Sequence, residues 1–425
     1  MKKTYYPQLN ETLYRGQLSN GLQIAVLPRP GFQKKLCYLC VDFGSIHTDF
    51  TMDGVAYHAP AGVAHYLEHK LFDMPGRDIS EEFAAMGASV NAFTSYDMTA
   101  YYFTCTENFS DCLGLLLEFV TTPYFTDESV AKEQGIIGQE IDMNLDSPDT
   151  QIFERLAQSM YANHPIHTPI LGTRESISAI TPEILTQSHR AFYRPDNMLL
   201  CVIGDVDAQS VTEIAQAATA MLPCPQVTVQ RNWEEKMAVN APFVSTQMEV
   251  AMPTFQLGFK CEPLDKGEEA VRREIIGDLA AEVLFGESSS LYLQLYEEGI
   301  IDNSFGGGYD TVEGMSMLSA SGDSDDPQAV IQAILEQAKL ITAEGIGQEN
   351  FLRMKRSAMG RRVRSLDSFD ATCFRICAYH FTDFDYFLFP GVYETVTEEQ
   401  VMDFIRQTVI EERACLSVIY PNEED

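Results

Sequence analysis

The order of structural elements in this 425-residue chain runs through once, breaks up, and then begins again. The break starts at Pro223 and carries Pro225, Arg231, Asn232, Glu234, Glu235 and Lys236, a cluster of turn-formers and charges with no apolar period. Before it, strands are expected at 13–15 and 22–27, joined by an Asn20-Gly21 turn, and at 36–43. Residues 44–60 read as a loop and 61–72 as a helix, and Ser80 reads as the cap of another. A hairpin is expected over 89–106, helices at 108–121 and 126–144, and a strand at 199–203. After the break come a strand at 249–259, helices at 268–285 and 291–298, and a glycine-interrupted hairpin at 305–322. Helices at 327–344 and 348–363 and a closing strand at 414–420 complete the series. The expected organisation is an N-terminal domain over 1–225, a linker over 226–241 and a C-terminal domain over 242–425. Residue-level similarity between the halves is weak, so a duplication is read from element order alone.

Net charge and cysteine usage narrow the function classes. The formal charge is −33, from 62 acidic and 29 basic residues, and such a surface repels nucleic acid and anionic lipid. No stretch approaches the ~20 apolar residues of a membrane helix. Lys2 and Lys3 are followed by no apolar run, so no signal peptide is expected and the cytoplasm is the simplest location. Most of the ten cysteines sit in apolar stretches, as buried reduced thiols do. Cys37 and Cys40 form a C-x-x-C, but three residues apart on a strand they face opposite sides, which argues against a zinc ribbon or redox pair.

The chemistry is concentrated in His65-Tyr66-Leu67-Glu68-His69. His65 and His69, four apart on a helix, lie on one face with Cβ atoms about 5–6 Å apart. That separation lets both imidazoles reach one zinc at ~2.0–2.1 Å. Glu68 stands one turn from His65, placed to act as a general base without being a ligand. The pattern is H-x-x-E-H, the inverse of the H-E-x-x-H zinc-protease signature. At this composition chance supplies on the order of 0.01 such matches per chain. Val63, Ala64, Leu67, Leu71 and Phe72 bury the helix, and two buried imidazoles with a carboxylate require partners, which a Zn2+ ion supplies.

A catalytic zinc takes a third protein ligand and keeps an open position. Glu133 and Glu140 are seven apart on the 126–144 helix and share a face. Glu140 is the expected ligand. Glu133 is expected to orient a ligand or tune the attacking water. Gly135 and Gly138 between them each cost ~1 kcal/mol against alanine, tolerable if they let this helix approach the His65–His69 helix. His164-Pro165-Ile166-His167 is read as a loop pair, surface or structural, and His47 and His58 as candidates to line the cavity on proximity alone.

With these residues in place the chain resembles the insulinase/pitrilysin family of inverted-motif zinc peptidases, which includes the processing peptidase β subunit. The stretch from Gly87 to Ser95 with Thr99-Ala100-Tyr101-Tyr102 resembles that family's substrate-binding edge strand. The stretches Phe192 to Met198, Val202 to Val206 and Ser288 to Leu295 also match it. The resemblance implies two similar α/β-roll domains, each a mostly antiparallel sheet packed against helices, the second without a metal site. It implies that an unstructured peptide adds as a strand beside Asn91, Ala92 and Phe93 and is hydrolysed inside a closed chamber. One departure stands out. Members that act alone carry an Arg and a Tyr seven apart in the C-terminal half, where this chain has Tyr296 and then Asp302 or Asn303. A heterodimer is therefore expected, the partner being a related chain without the zinc motif that supplies the Arg/Tyr pair; otherwise a homodimer. The competing expectations are a non-catalytic scaffold subunit and a peptide-binding module of the same fold.

Overall fold

A computed structural model describes residues 1–422. The chain divides into two compact units, each with its own sheet. The first comprises Met1–Ile141, Pro169–Arg231 and Ser365–Phe387; the second comprises Asp142–Thr168, Asn232–Arg364 and, of the described residues, 388–422. The first sheet orders its strands Lys2–Tyr6, Glu11–Gln17, Gln23–Pro28, Met198–Gly204, Lys35–Val41, Thr99–Cys105 and Ser89–Thr94. Met198–Gly204 is parallel to Gln23–Pro28 and antiparallel to Lys35–Val41; the other neighbours are antiparallel. The second sheet orders Phe243–Met248, Ala414–Pro421, Thr254–Cys261, Met315–Asp323 and Gly306–Val312. Its one parallel pair is Phe243–Met248 with Ala414–Pro421.

Leaving out the first two strands of the first sheet, the two orders are the same: first strand, last, second, fourth, third. The expected recurrence is thus present as topology, and the α+β roll in each half is the observed fold. Closing each sheet by a strand from the end of its half makes the inserted strand central. Its residues are buried on both faces, as Met198–Gly204 shows throughout its length.

Sequence expectation and structure part at several places. Residues 44–60 are not only loop: Asp49–Met52 and Val55–His58 form a hairpin. The interval 226–241 is not only linker, because Val227–Val229 pairs antiparallel with Asp49–Met52. Three-residue pairings of this kind leave no period to read. Neither unit is a contiguous half. Helix Pro148–Met160 packs on strands Thr254–Cys261 and Ala414–Pro421 of the second unit, and helix Phe369–Phe381 packs on Lys35–Val41 and Met198–Gly204 of the first. The cap of helix Ile79–Ala85 is Asp78, which accepts the Glu81 N–H, rather than Ser80.

Other expectations hold. Gly21 has φ +102°, and its turn joins strands Glu11–Gln17 and Gln23–Pro28, closed by the Leu18 N–H to the Leu22 carbonyl at 2.9 Å. Cys37 lies in the core of the first unit, while Cys40 faces the other way, toward the Cys377 thiol. All ten cysteines are unpaired, and only Cys224 is exposed. Among the described residues no helix is long and apolar enough to cross a membrane.

His189, on helix Pro182–Phe192, is fully buried, with Nε2 2.9 Å from the Val120 carbonyl and the ring stacked on Tyr193. Burial lowers its pKa from 6.5 to about 4, the bond to Val120 opposing only in part. A depressed histidine stabilises the fold fully above the unfolded value; below it the unfolded chain takes the proton first, so stability falls as pH approaches 4. Between pH 7 and pH 4.5 we expect the first unit to lose ~2–3 kcal/mol more in the parent chain than in His189→Gln, which keeps a donor but does not titrate. Urea unfolding at the two pH values measures this; equal losses would assign the acid sensitivity to other groups.

Candidate metal centre

The helix carrying the motif, Val63–Leu71, starts from Gly62 at φ +92° without a side-chain cap. A Cβ there would lie 2.4 Å from the Leu171 carbonyl oxygen, so only glycine fits the turn that aims this helix. Val63, Ala64, Tyr66, Leu67 and Leu71 are buried in the core of the first unit. The opposite side of the helix turns His65 and His69 outward together, with ring centroids 4.6 Å apart.

The helix Asp127–Leu145 brings the carboxylates. Val130, Ile137 and Ile141 seat it in the same core, and the Tyr66 hydroxyl donates to the Val130 carbonyl. Lys70, one turn beyond Tyr66, is wholly buried; its ammonium donates to Asp73 and contacts the Ser129 carbonyl. These contacts, rather than the glycines, set the approach of the two helices. A Cβ at Gly138 would meet the Arg174 guanidinium, and one at Gly135 would meet nothing within 4 Å, so the glycine expectation is corrected.

His65 Nε2 lies 3.6 Å from Glu140 Oε1, and His69 Nε2 lies 3.6 Å from Glu140 Oε2. Such separations are too long for hydrogen bonds. They are close to the ~3.4 Å between two ligands ~2.0–2.1 Å from a shared tetrahedral ion. One ligand atom from each of His65, His69 and Glu140 lies within 4.8 Å of the others, and among the described residues no other group of three His, Cys, Asp or Glu does so. Glu133 Oε1 is 3.0 Å from His69 Nδ1. With Nδ1–H donating to that carboxylate, the Nε2 lone pair faces Glu140. His65 Nδ1 is buried and, among the described residues, has no hydrogen-bond partner.

Electrostatics act in opposite directions on the two imidazoles. Burial, with help from the His69 charge, lowers the His65 pKa to about 3 and keeps the ring neutral. Burial acts to lower His69 as well, but the Glu133 bond and the charges of Glu68, Glu133 and Glu140 outweigh it and raise the pKa. Glu68 is raised by burial; the Thr94 hydroxyl and His69 offset part of this. The donor set of two imidazole nitrogens and one carboxylate therefore fits zinc, with Glu68 outside it.

Strand Ser89–Thr94 is one of the two edge strands of the first sheet and packs beside the motif helix. Asn91, Ala92 and Phe93 stand opposite Tyr102, Tyr101 and Ala100. Ala92 packs toward the core that holds the motif helix, whereas the Phe93 ring lies near Tyr38, Tyr102 and Phe374 on the other face. Asn91 Oδ1 accepts the Ala92 N–H at 2.9 Å. Sequence reasoning gave no role to Thr94, whose hydroxyl donates to Glu68 Oε2 at 2.7 Å. Strand alternation from Ala92 was the signal that could have found it.

Three other histidines, His47, His58 and His164, have other contacts. His47 is buried, accepts the Gly44 N–H at 3.0 Å on Nδ1 and stacks on Phe43 and Phe192. His58 is exposed and paired with Asp49 at 2.7 Å. Proximity in sequence to the motif did not make either a site residue. His164 is structural: it is buried, accepts the Ile166 N–H at 3.0 Å and packs against Trp233.

Two histidines and a distant glutamate around one point, with a glutamate between the histidines left unligated, is the residue pattern of the inverted-motif zinc peptidases. Comparison with known proteins agrees: the family model for insulinase (peptidase family M16) matches residues 29–174, and that for the M16 inactive domain matches residues 179–358. The chain belongs to the insulinase (M16) family. It is 36% identical over 430 residues to a Bacillus subtilis (strain 168) protein named uncharacterized zinc protease YmfH, covering 99% of each. A Rickettsia felis protein named as an uncharacterized zinc protease is 26% identical over 356 residues, covering 82% of each. The structure of a putative M16-like peptidase from Alicyclobacillus acidocaldarius matches with a TM-score of 0.93 at 30% identity, covering 97% of this chain and 99% of that one. A Helicobacter pylori protease structure, at 18% identity and a TM-score of 0.81, shares the fold.

Proposed function

We propose that the chain is a zinc metallo-endopeptidase acting on extended, unstructured peptides. The observation that carries this reading is the convergence of His65, His69 and Glu140 within 4.8 Å, with Glu68 beside them and outside the ligand set. Zinc, when held there, supplies a Lewis acid that polarises the scissile carbonyl and acidifies water. Glu68 removes the proton from the attacking water and returns it to the leaving amine. Its raised pKa suits the second of those duties. Glu133 keeps His69 in the tautomer that presents Nε2. The edge strand Ser89–Thr94 aligns the substrate backbone as an added strand, which requires a segment that can extend.

The same reading includes a partner. Tyr296 is half exposed near the end of helix Ser290–Glu297, where the family's single-chain members have Arg, and Asp302 or Asn303 replaces their Tyr. A related chain without the zinc motif would supply that pair. Ten unpaired cysteines favour a reducing compartment, and we place the protein in the cytoplasm. Assaying a mixed peptide library by mass spectrometry, with this chain alone and co-expressed with a related neighbouring chain, tests both parts. We expect at least tenfold faster cleavage from the pair. Full activity of the isolated chain would remove the partner, and no metal-dependent cleavage in either sample would remove the peptidase reading.

A further inference from the structure

We infer that Thr94 is a positioning residue for Glu68, an inference that rests on the peptidase reading above. The Thr94 hydroxyl donates to Glu68 Oε2 at 2.7 Å, within the range of a short, charge-assisted bond. The bond engages Oε2 alone, so one carboxylate oxygen is tethered and the other is left outside that bond for proton transfer. The tether is anchored at its far end: Thr94 is the last residue of strand Ser89–Thr94 and sits in register with Thr99 on the neighbouring strand. Ser95, the next residue, is fixed by its N–H to the Met98 carbonyl at 2.8 Å.

A free glutamate side chain has three torsions and several staggered states. On the motif helix, some of these would swing the carboxylate toward His69 and Glu140 and out of reach of the substrate. The Thr94 bond selects one. The bond also ties the base to the strand that receives the peptide, so the backbone that aligns the scissile carbonyl is the one that aims Glu68. Misplacing a reacting group by about 1 Å costs up to ~100-fold in rate.

Thr94→Val keeps the β-branched shape and removes only the donor; Thr94→Ser keeps the donor. With both chains loaded with zinc to the same stoichiometry, Thr94→Val should lower kcat by about 10–100-fold with KM within about twofold. Thr94→Ser should stay within about threefold of the parent. Crystal structures of the zinc-loaded variants should show Glu68 in more than one rotamer in Thr94→Val and in one in Thr94→Ser. An unmoved, singly ordered Glu68 in Thr94→Val overturns the inference, as does a Thr94→Ser variant as impaired as Thr94→Val. If the parent chain cleaves nothing, the peptidase reading fails on its own, and the rotamer comparison still decides the role of Thr94.

Discussion

Glu68→Gln should fold, bind zinc and bind peptide, yet turn over about 10²–10⁴-fold more slowly than the parent chain. The substitution keeps size and the capacity to accept from Thr94, so the 2.7 Å contact survives. What disappears is a group that can take a proton, and general-base catalysis accounts for about that factor. Glu68 is not one of the three converging ligands, so zinc affinity should change little. Rates on a cleaved peptide, with metal content and peptide binding on the same sample, check each part. Unchanged turnover would reassign the base; zinc lost along with turnover would make Glu68 a ligand. A scaffold or peptide-binding module would show no turnover to lose.

The second large effect falls on metal retention. Glu140→Gln removes the anionic ligand and leaves two neutral imidazoles, and zinc affinity should fall by at least about 10³-fold. Glu133→Leu removes only the acceptor that orients His69, 3.0 Å from its Nδ1. Loss of such a supporting partner typically costs about 10–100-fold in metal affinity. The ranking, Glu140 well above Glu133, separates a ligand from a residue that acts through one. Competition against a chelator of known affinity measures it. Equal losses at the two positions would mean that the roles on this helix are misassigned.

The part of the site legible in the sequence was the part set by helical spacing. His65 and His69 meet because they are four apart, and Glu133 and Glu140 share a face because they are seven apart; neither fact needs the rest of the fold. The supporting contacts were not legible, because they join segments distant in sequence. Tyr66 to Val130 and Thr94 to Glu68 are such contacts, and the glycine argument went astray because nothing local says that Gly138 faces Arg174. The same division holds for the fold. Element order revealed the repeated roll, and Asn20-Gly21 the turn between Glu11–Gln17 and Gln23–Pro28. The exchange of helices Pro148–Met160 and Phe369–Phe381 between units was invisible, since an amphipathic period shows that a helix has a buried face but not which sheet covers it. Strand Val227–Val229 was missed because its alternation, Val-Thr-Val, runs for only three residues close to prolines and is too short to read.

The most direct measurement is the anomalous scattering of a crystal of the purified chain grown with zinc, collected above and below the zinc absorption edge. One strong peak per chain is expected, ~2.0–2.2 Å from His65 Nε2, His69 Nε2 and a Glu140 oxygen, and none within bonding distance of Glu68. A chain that crystallises with zinc elsewhere, or with those three groups ordered about an empty centre, would contradict it.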